Sequence, residues 1–175
     1  MNSTMKVRRA STMDWQQIVS IYNHYIVHSV FNFEYEPYTV KTRLPWFELF
    51  QEESPYCLLV VVNAEDEVLA FGATTPFNPV AGYQTSLNMS LYCCPEWQGR
   101  GLGSMLLEAL LEKGRLSSQG HRLYAGITVP NEPSLKLFKK FGFIEVAHFS
   151  EVGYKFDRYW DVIWLEKKLY NAQYA

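Results

Sequence analysis

Cys94-Pro95-Glu96-Trp97-Gln98-Gly99-Arg100-Gly101-Leu102-Gly103 joins two segments of different hydrophobic period, and that junction decides the fold. Upstream, Gln84 to Cys94 alternates, with Thr85, Leu87, Met89, Leu91 and Cys93 sharing one face as in a strand. Pro95 ends that strand. Downstream, a helix is expected from about Gly101 to Gln119, with Leu102, Leu106, Ala109 and Leu110 on its buried face. The three alternating glycines of the turn allow positive φ and close approach of backbone to a ligand. Amides at the start of a helix form an anion cradle, Arg100 adds a mobile positive charge, and a pyrophosphate fits such a site. A Walker loop is excluded because no Gly-Lys-Ser/Thr ending is present. The dinucleotide fingerprint also fails: its sixth position would be Ser104 counting from Gly99, and Leu106 counting from Gly101. Taken alone, the turn is equally compatible with an ordinary loop.

Outward from this junction, the pattern is mixed α/β. Met5 to Ala10 reads as a first strand, and Ser11 with Asp14 as a capping box opening a helix whose apolar stripe is Trp15, Ile18, Val19, Tyr22 and Ile26. Val30 to Tyr38 is an aromatic loop and Thr39 to Glu53 a second helix. Tyr56 to Asn63 and Val68 to Thr75 form a strand pair across the polar turn Ala64-Glu65-Asp66-Glu67, and Pro76 to Gly82 is a loop. Arg122 to Thr128 is a fifth strand. A fourth helix is capped by Asn131, carries Pro133 in its first turn and lysines at its end, and stops at Gly142. Phe143 to Ser150 and Tyr159 to Leu169 complete a largely antiparallel sheet of about seven strands flanked by about four helices. No linker or repeat divides the chain, so residues 1–175 are expected to form a single domain.

Composition narrows the function classes. The chain has 175 residues, 48% of them hydrophobic, which supports a core without metals or disulfides. A net charge of −2 without a basic patch argues against a nucleic-acid partner. Cys57, Cys93 and Cys94 form neither a disulfide framework nor a zinc pattern. No secretory signal is visible, and the longest apolar stretch, Cys57 to Val62, is too short to span a bilayer. A cytoplasmic protein without metal and without membrane contact is expected.

Gln98-Gly99-Arg100-Gly101-Leu102-Gly103 resembles the Q/R-x-x-G-x-G/A signature of the GNAT acetyltransferases, whose loop holds the pyrophosphate of coenzyme A. Asn131-Glu132-Pro133-Ser134, followed by Leu137-Phe138 and Phe141-Gly142-Phe143, is similar to the family's second cofactor motif. Phe33-Glu34, Leu91-Tyr92-Cys93, Val152-Gly153-Tyr154-Lys155 and Trp160-Asp161-Val162 resemble the phosphinothricin acetyltransferase branch. The resemblance implies a GNAT fold, acetyl-CoA as cosubstrate, a small primary amine as acceptor, direct acetyl transfer and a homodimer. It places Leu91, Tyr92, Cys93, Gln98, Gly99, Arg100, Gly101, Leu102, Gly103, Asn131, Ser134 and Phe138 at the cofactor, and Phe33, Glu34, Phe77 and Tyr154 at the substrate. Each also has a plainer reading: Asn131 as a helix cap, Leu91 to Cys93 as core strand, Ser134 and Phe138 as packing, Tyr154 and Lys155 as a solvated turn.

Three positions depart from the family pattern. An ammonium of lysine-like pKa must lose its proton before it attacks, at roughly 4–5 kcal/mol at neutral pH, and a general base relieves this. Where the branch carries Glu, this chain has Asn88, which cannot take a proton. Phe138 stands where Tyr or His could protonate the leaving thiolate. Phe77-Asn78-Pro79-Val80 lacks the arginines that grip an acidic substrate. Asn88 is therefore expected to position the amine or a water, with deprotonation running through water either to bulk solvent or to Glu34 as the candidate base. His24 and His28 are one turn apart but without a third metal ligand. Two further readings stay open: an acetyl-cysteine route through Cys93 or Cys94, and a non-catalytic acyl-CoA-binding or sensor module.

Overall fold

The computed structural model describes residues 5–116 and 120–169. The elements run β1 (Lys6–Arg9), α1 (Trp15–His28), α2 (Val40–Phe47), β2 (Leu58–Val62), β3 (Val68–Pro76), β4 (Ser86–Cys93), α3 (Leu102–Leu116), β5 (Arg122–Thr128), α4 (Glu132–Lys140), β6 (Ile144–Lys155) and β7 (Arg158–Lys168). One seven-stranded sheet has the order β1-β2-β3-β4-β5-β7-β6. Every neighbouring pair is antiparallel except β4–β5, which α3 connects as a parallel crossover.

Burial follows the side-chain period. Leu59 and Val61 of β2 pack with α3 and α4, while Leu58, Val60 and Val62 pack with α1 and Phe47 of α2. The central strands β2 and β3 are covered on both faces, which is why they read as continuous apolar runs. Leu87 and Met89 of β4, Leu123, Ala125 and Ile127 of β5 and Leu165 of β7 face α3 and α4. The opposite face of β4, β5 and β7 carries half-buried aromatics instead, and this asymmetry positions the site.

Two boundaries and the burial of one lysine differ from expectation. The second helix stops at Phe47, with a 3-10 turn over Glu48–Phe50, well before Glu53. The Arg9 guanidinium donates to the carbonyls of Phe50 and Gln51 at 3.0 and 2.6 Å, taking acceptors that a longer helix would use. β6 continues past Ser150 to Lys155 and turns tightly through Phe156 and Asp157, both at positive φ (53° and 57°). Such turns usually announce themselves by Asn-Gly or Asp-Gly, and neither stands here. Lys155, expected in a solvated turn, is 2% exposed and donates to the backbone oxygen of Asn32 at 3.0 Å and to its side-chain oxygen at 3.3 Å. The third helix is described only to Leu116, so its expected end at Gln119 lies outside the described residues.

The start of α1 is anchored by Asp14. Its buried carboxylate accepts 2.7 and 2.8 Å bonds from Arg8, and 2.7 and 3.0 Å bonds from the amide and hydroxyl of Ser11. Burial works to raise its pKa, but the Arg8 and Ser11 bonds together hold it below the usual carboxylate range. A depressed folded pKa adds stability above the unfolded value of about 3.9, and that stability is lost as pH falls through the folded value. Asp14→Asn should cost on the order of 2 kcal/mol at neutral pH. Urea denaturation should show the gap from wild type narrowing as the pH drops below about 4.

Candidate active site

β4 and β5 share only three paired positions, Ser86–Arg122, Leu87–Leu123 and Asn88–Tyr124. Beyond them β4 stays on β3 as far as Cys93, and β5 stays on β7 as far as Thr128. The wedge between the two strands opens into a cavity of about 610 Å³. Met89, Leu91, Ala125 and Ile127 line it, and so do Ser90, Tyr92, Gly126 and Thr128. Since alternate residues point to opposite faces, the cavity passes through the sheet.

At one end lies the glycine turn. A 3-10 turn over Pro95–Trp97 leads into Gly99 and Gly101, whose φ values are +74° and +85°. Nothing stands within 4 Å of a Cβ built on either, so backbone conformation, not crowding, demands glycine there. Gly103 is required for another reason: its Cβ would lie 2.8 Å from Leu137, so it lets α3 and α4 approach. Gln98, Gly99, Gly101 and Gly103 line the cavity. Arg100 stacks on the Trp97 ring at 4.5 Å, and Leu102 is buried in the core, so Leu102 can meet a ligand only through its backbone.

Asn131 caps α4 by accepting from the Ser134 amide at 3.3 Å, as the plain reading had it, and it also lines the cavity with Ser134 and Phe138. Phe138 is buried edge-on against Phe143 at 5.0 Å. The strand end is braced from α1: the Tyr25 hydroxyl donates to the Cys93 carbonyl at 2.6 Å and accepts from Gln98 Nε2 at 2.9 Å. Leu91, Tyr92 and Cys93 line the cavity, with Tyr92 stacked on Phe71 at 5.3 Å and its phenol pushed up by burial. The fit for coenzyme A thus rests on a volume, two glycines in the left-handed region, two helix starts and an unpaired strand edge converging on one cavity.

The remaining candidates are placed unevenly. Asn88 stands half-buried at the last paired position before the wedge. None of Asn88, Glu34, Phe33, Phe77 and Tyr154 is among the residues that line the cavity; the charge of Glu34 is felt by Tyr22, Tyr38 and Lys155. Phe33 lies flat on Gly153, where any Cβ would collide with its ring. Phe77 meets Tyr124 at 4.5 Å and Trp164 at 5.7 Å on the open face. Tyr154 is exposed, with its carbonyl accepting from the Tyr35 hydroxyl at 2.7 Å. Burial pushes the thiols of Cys93 and Cys94 up to about 11, so neither is a ready nucleophile at neutral pH. His24 and His28 have rings 4.9 Å apart, and among the described residues no group of three His, Cys, Asp or Glu converges. Sequence reasoning missed Tyr25, which lies at the i, i+3 spacing from Tyr22 but outside the apolar stripe read from the sequence.

A helix-flanked sheet with a parted central pair, a glycine anion cradle and the capped start of α4 at one cavity defines a coenzyme A-dependent acyltransferase. The profile of the Acetyltransferase (GNAT) family matches residues 15–143. The chain is 39% identical to a phosphinothricin N-acetyltransferase of Streptomyces coelicolor, over 94% of this chain and 96% of that one. It is 31% identical to an L-amino acid N-acyltransferase of Escherichia coli, over 94% of each. A Salmonella typhimurium protein solved with its cofactor acetyl-CoA superimposes with a TM-score of 0.89 at 30% identity, covering 95% of this chain and 94% of that one. The chain belongs to the GNAT acetyltransferase family, and it is an N-acetyltransferase that uses acetyl-CoA.

Two outcomes follow for the cofactor end. Gly101→Ala forces a side chain into the left-handed region at about 1–2 kcal/mol, so calorimetry should show acetyl-CoA affinity reduced roughly tenfold with the fold intact. Tyr25→Phe removes both the bond to Cys93 and the one from Gln98; steady-state kinetics should show KM for acetyl-CoA raised by a factor of about 5–10, from about 1 kcal/mol of lost hydrogen bonding.

Proposed function

We propose that the protein acetylates the primary amine of a small amino-acid-like substrate by direct transfer within the through-sheet cavity. The observation that carries this reading is the continuity of that cavity, from the glycine turn on one side of the sheet to Ser90 and Gly126 on the other. A cofactor and an amine can then meet from opposite faces. The names of the relatives from Streptomyces coelicolor and Escherichia coli support the amino-acid class.

Acetyl-CoA supplies an acetyl group activated as a thioester; the other demands fall on the chain. The turn from Gln98 to Gly103 and the start of α4 at Asn131 and Ser134 hold the cofactor. The unpaired edge of β4 from Leu91 to Cys93 offers backbone donors where negative charge develops, a role worth several kcal/mol in a water-poor site. Asn88 orients the amine by hydrogen bonding and takes no proton. Phe138 seals the cavity without donating one, so the thiolate is neutralised by solvent. The raised thiols of Cys93 and Cys94 favour direct transfer over an acetyl-cysteine route. Glu34 acts as the counter-charge to Lys155 rather than at the amine.

Residues 1–175 act as one domain, in the cytoplasm, and two copies associate. Support for the dimer is the apolar surface of β6 and β7, where Ile144, Val146, Phe149, Val152 and Tyr159 are exposed.

One experiment tests this reading: acetyl-CoA binding by calorimetry, then free-thiol release with a panel of L-amino acids and simple amines. Thiol release that requires an L-amino acid supports the amino-acid class; release only with simple amines overturns it. If Asn88 serves the native amine, Asn88→Glu should lower kcat/KM at least tenfold, because a new charge must be desolvated. An increase would mean that Asn88 is only a weakened base position.

A further inference from the structure

The parting of β4 and β5 leaves a row of side chains at the floor of the wedge. Asn88 pairs with Tyr124, and Tyr124 pairs with Glu166 of β7, so the three stand on one face with successive strands about 4.8 Å apart. This row is the last before the wedge opens, and it lies on the face to which Ser90 and Gly126 belong. Its floor is rigid: Phe77 meets the Tyr124 ring at 4.5 Å, and Trp164 meets Phe77 at 5.7 Å. Arg122 holds the Glu166 carboxylate at 3.2 Å, and the Glu166 side chain keeps 20% of its surface in solvent. Burial first, and then the charge of the neighbouring Glu166, raise the Tyr124 phenol above its ordinary value. The groups facing Glu166 are Arg122 and Tyr124 from β5 and Lys168 two residues on along β7; from β6 its partner is Ile144, which has no charge.

We infer that Tyr124 and Glu166 form the proton exit of the transfer reaction, in place of the base that Asn88 cannot be. The ammonium N–H bond breaks and its proton passes to Tyr124 Oη, directly or through one water. The phenol's own proton passes in the same step to the Glu166 carboxylate, which later releases it to solvent. The amine nitrogen gains a free lone pair and the ammonium charge is cancelled; the second N–H proton, lost once the nitrogen has attacked, leaves through solvent, which neutralises the departing thiolate, and nothing is oxidised or reduced. Tyr124 is the group that meets the substrate; Glu166 acts through it, and Arg122 keeps Glu166 in place. This inference rests on the acetyl-transfer reading above.

The test is the pH profile of kcat/KM, measured by thiol release with the best amine found, in wild type, Tyr124→Phe, Glu166→Gln, Glu166→Asp and Arg122→Gln. Acetyl-CoA affinity by calorimetry serves as the check on folding. With a carboxylate accepting the proton, the wild-type profile should be flat from about pH 6 to about pH 8.5. Glu166→Gln and Tyr124→Phe should each lose about 100-fold at neutral pH and climb with unit slope toward the amine's own pKa. Glu166→Asp should restore the flat profile in part, and Arg122→Gln, which releases the Glu166 carboxylate from its partner, should lower kcat/KM several-fold while the profile stays flat. A wild-type profile that already climbs with unit slope overturns the route. So does a flat profile that survives Glu166→Gln, or a loss equal at every pH, which would be a structural effect. A wild type that binds acetyl-CoA but releases no thiol with any amine overturns the transferase reading and this route together. A transferring wild type indifferent to Glu166→Gln overturns the route alone.

Discussion

The separation of β4 from β5 after Asn88–Tyr124 governs the rest of the molecule. A strand edge inside a protein carries backbone N–H and C=O groups that must find partners. On β4 one of them, the Cys93 carbonyl, is taken by Tyr25 from α1; others face the cavity, where an amide-bearing ligand can satisfy them. The two motifs that hold an anion follow directly from the same parting. The glycine turn begins where β4 ends, and the Asn131 cap begins just after β5 ends. Both helix starts therefore stand at the carboxyl ends of the two separated strands, where crevices form in open α/β sheets.

Charge is arranged to leave the amine end of the cavity nearly neutral. Arg43 is enclosed by the rings of Tyr22, Tyr38 and Trp46, each at 4.6 Å. Lys155 is buried beneath the aromatic loop, which it ties down through Asn32. Its pKa is lowered by burial, against the opposing charge of Glu34. Phe33 seated on Gly153 and Tyr35 bonded to the Tyr154 carbonyl pin the same loop to the β6–β7 hairpin. The loop that resemblance assigned to substrate contact is thus first a structural clasp between the start and the end of the chain. Arg122 is matched by Glu166. The open face is instead built from Phe77, Tyr124 and Trp164, a surface suited to an apolar substrate body.

Local sequence carried the parts of the fold whose causes are local. Alternation in Gln84–Cys94, the helical stripe of α1 and the cap at Asn131 all rest on neighbours within a few residues, and all are present. The glycine turn was legible for the same reason, since positive φ is a property of a single position. What the sequence hid depends on residues far apart. Arg9 truncates α2 from 41 positions away, and Lys155 is buried by a loop 123 positions away. The turn at Phe156-Asp157 has positive φ without the residues that normally betray it. At the site, the glycine loop and Asn131 could be found by motif, whereas Tyr25 and Tyr124 could not. Their importance arises only from strand register and from one hydroxyl placed between Cys93 and Gln98.

Register also bears on how a proton can be handled without the carboxylate at the position of Asn88. Side chains paired across a sheet stand side by side whatever their separation along the chain. Asn88 and Glu166 are 78 positions apart in sequence, yet only one strand lies between them. A charge absent from the first position can be supplied from the third, provided the middle residue bears a group that both donates and accepts. Tyr124 is such a group, and a valine or leucine there would break the row. The arrangement also separates two tasks that a single carboxylate would combine. In the proposed route Asn88, uncharged, orients the amine without adding a desolvation cost in the wedge. Glu166 is paired with Arg122 at 3.2 Å and keeps 20% of its side-chain surface in solvent. Motif comparison examines positions one at a time and marks Asn88 as a loss; the sheet places it in a row whose charged member sits two strands away.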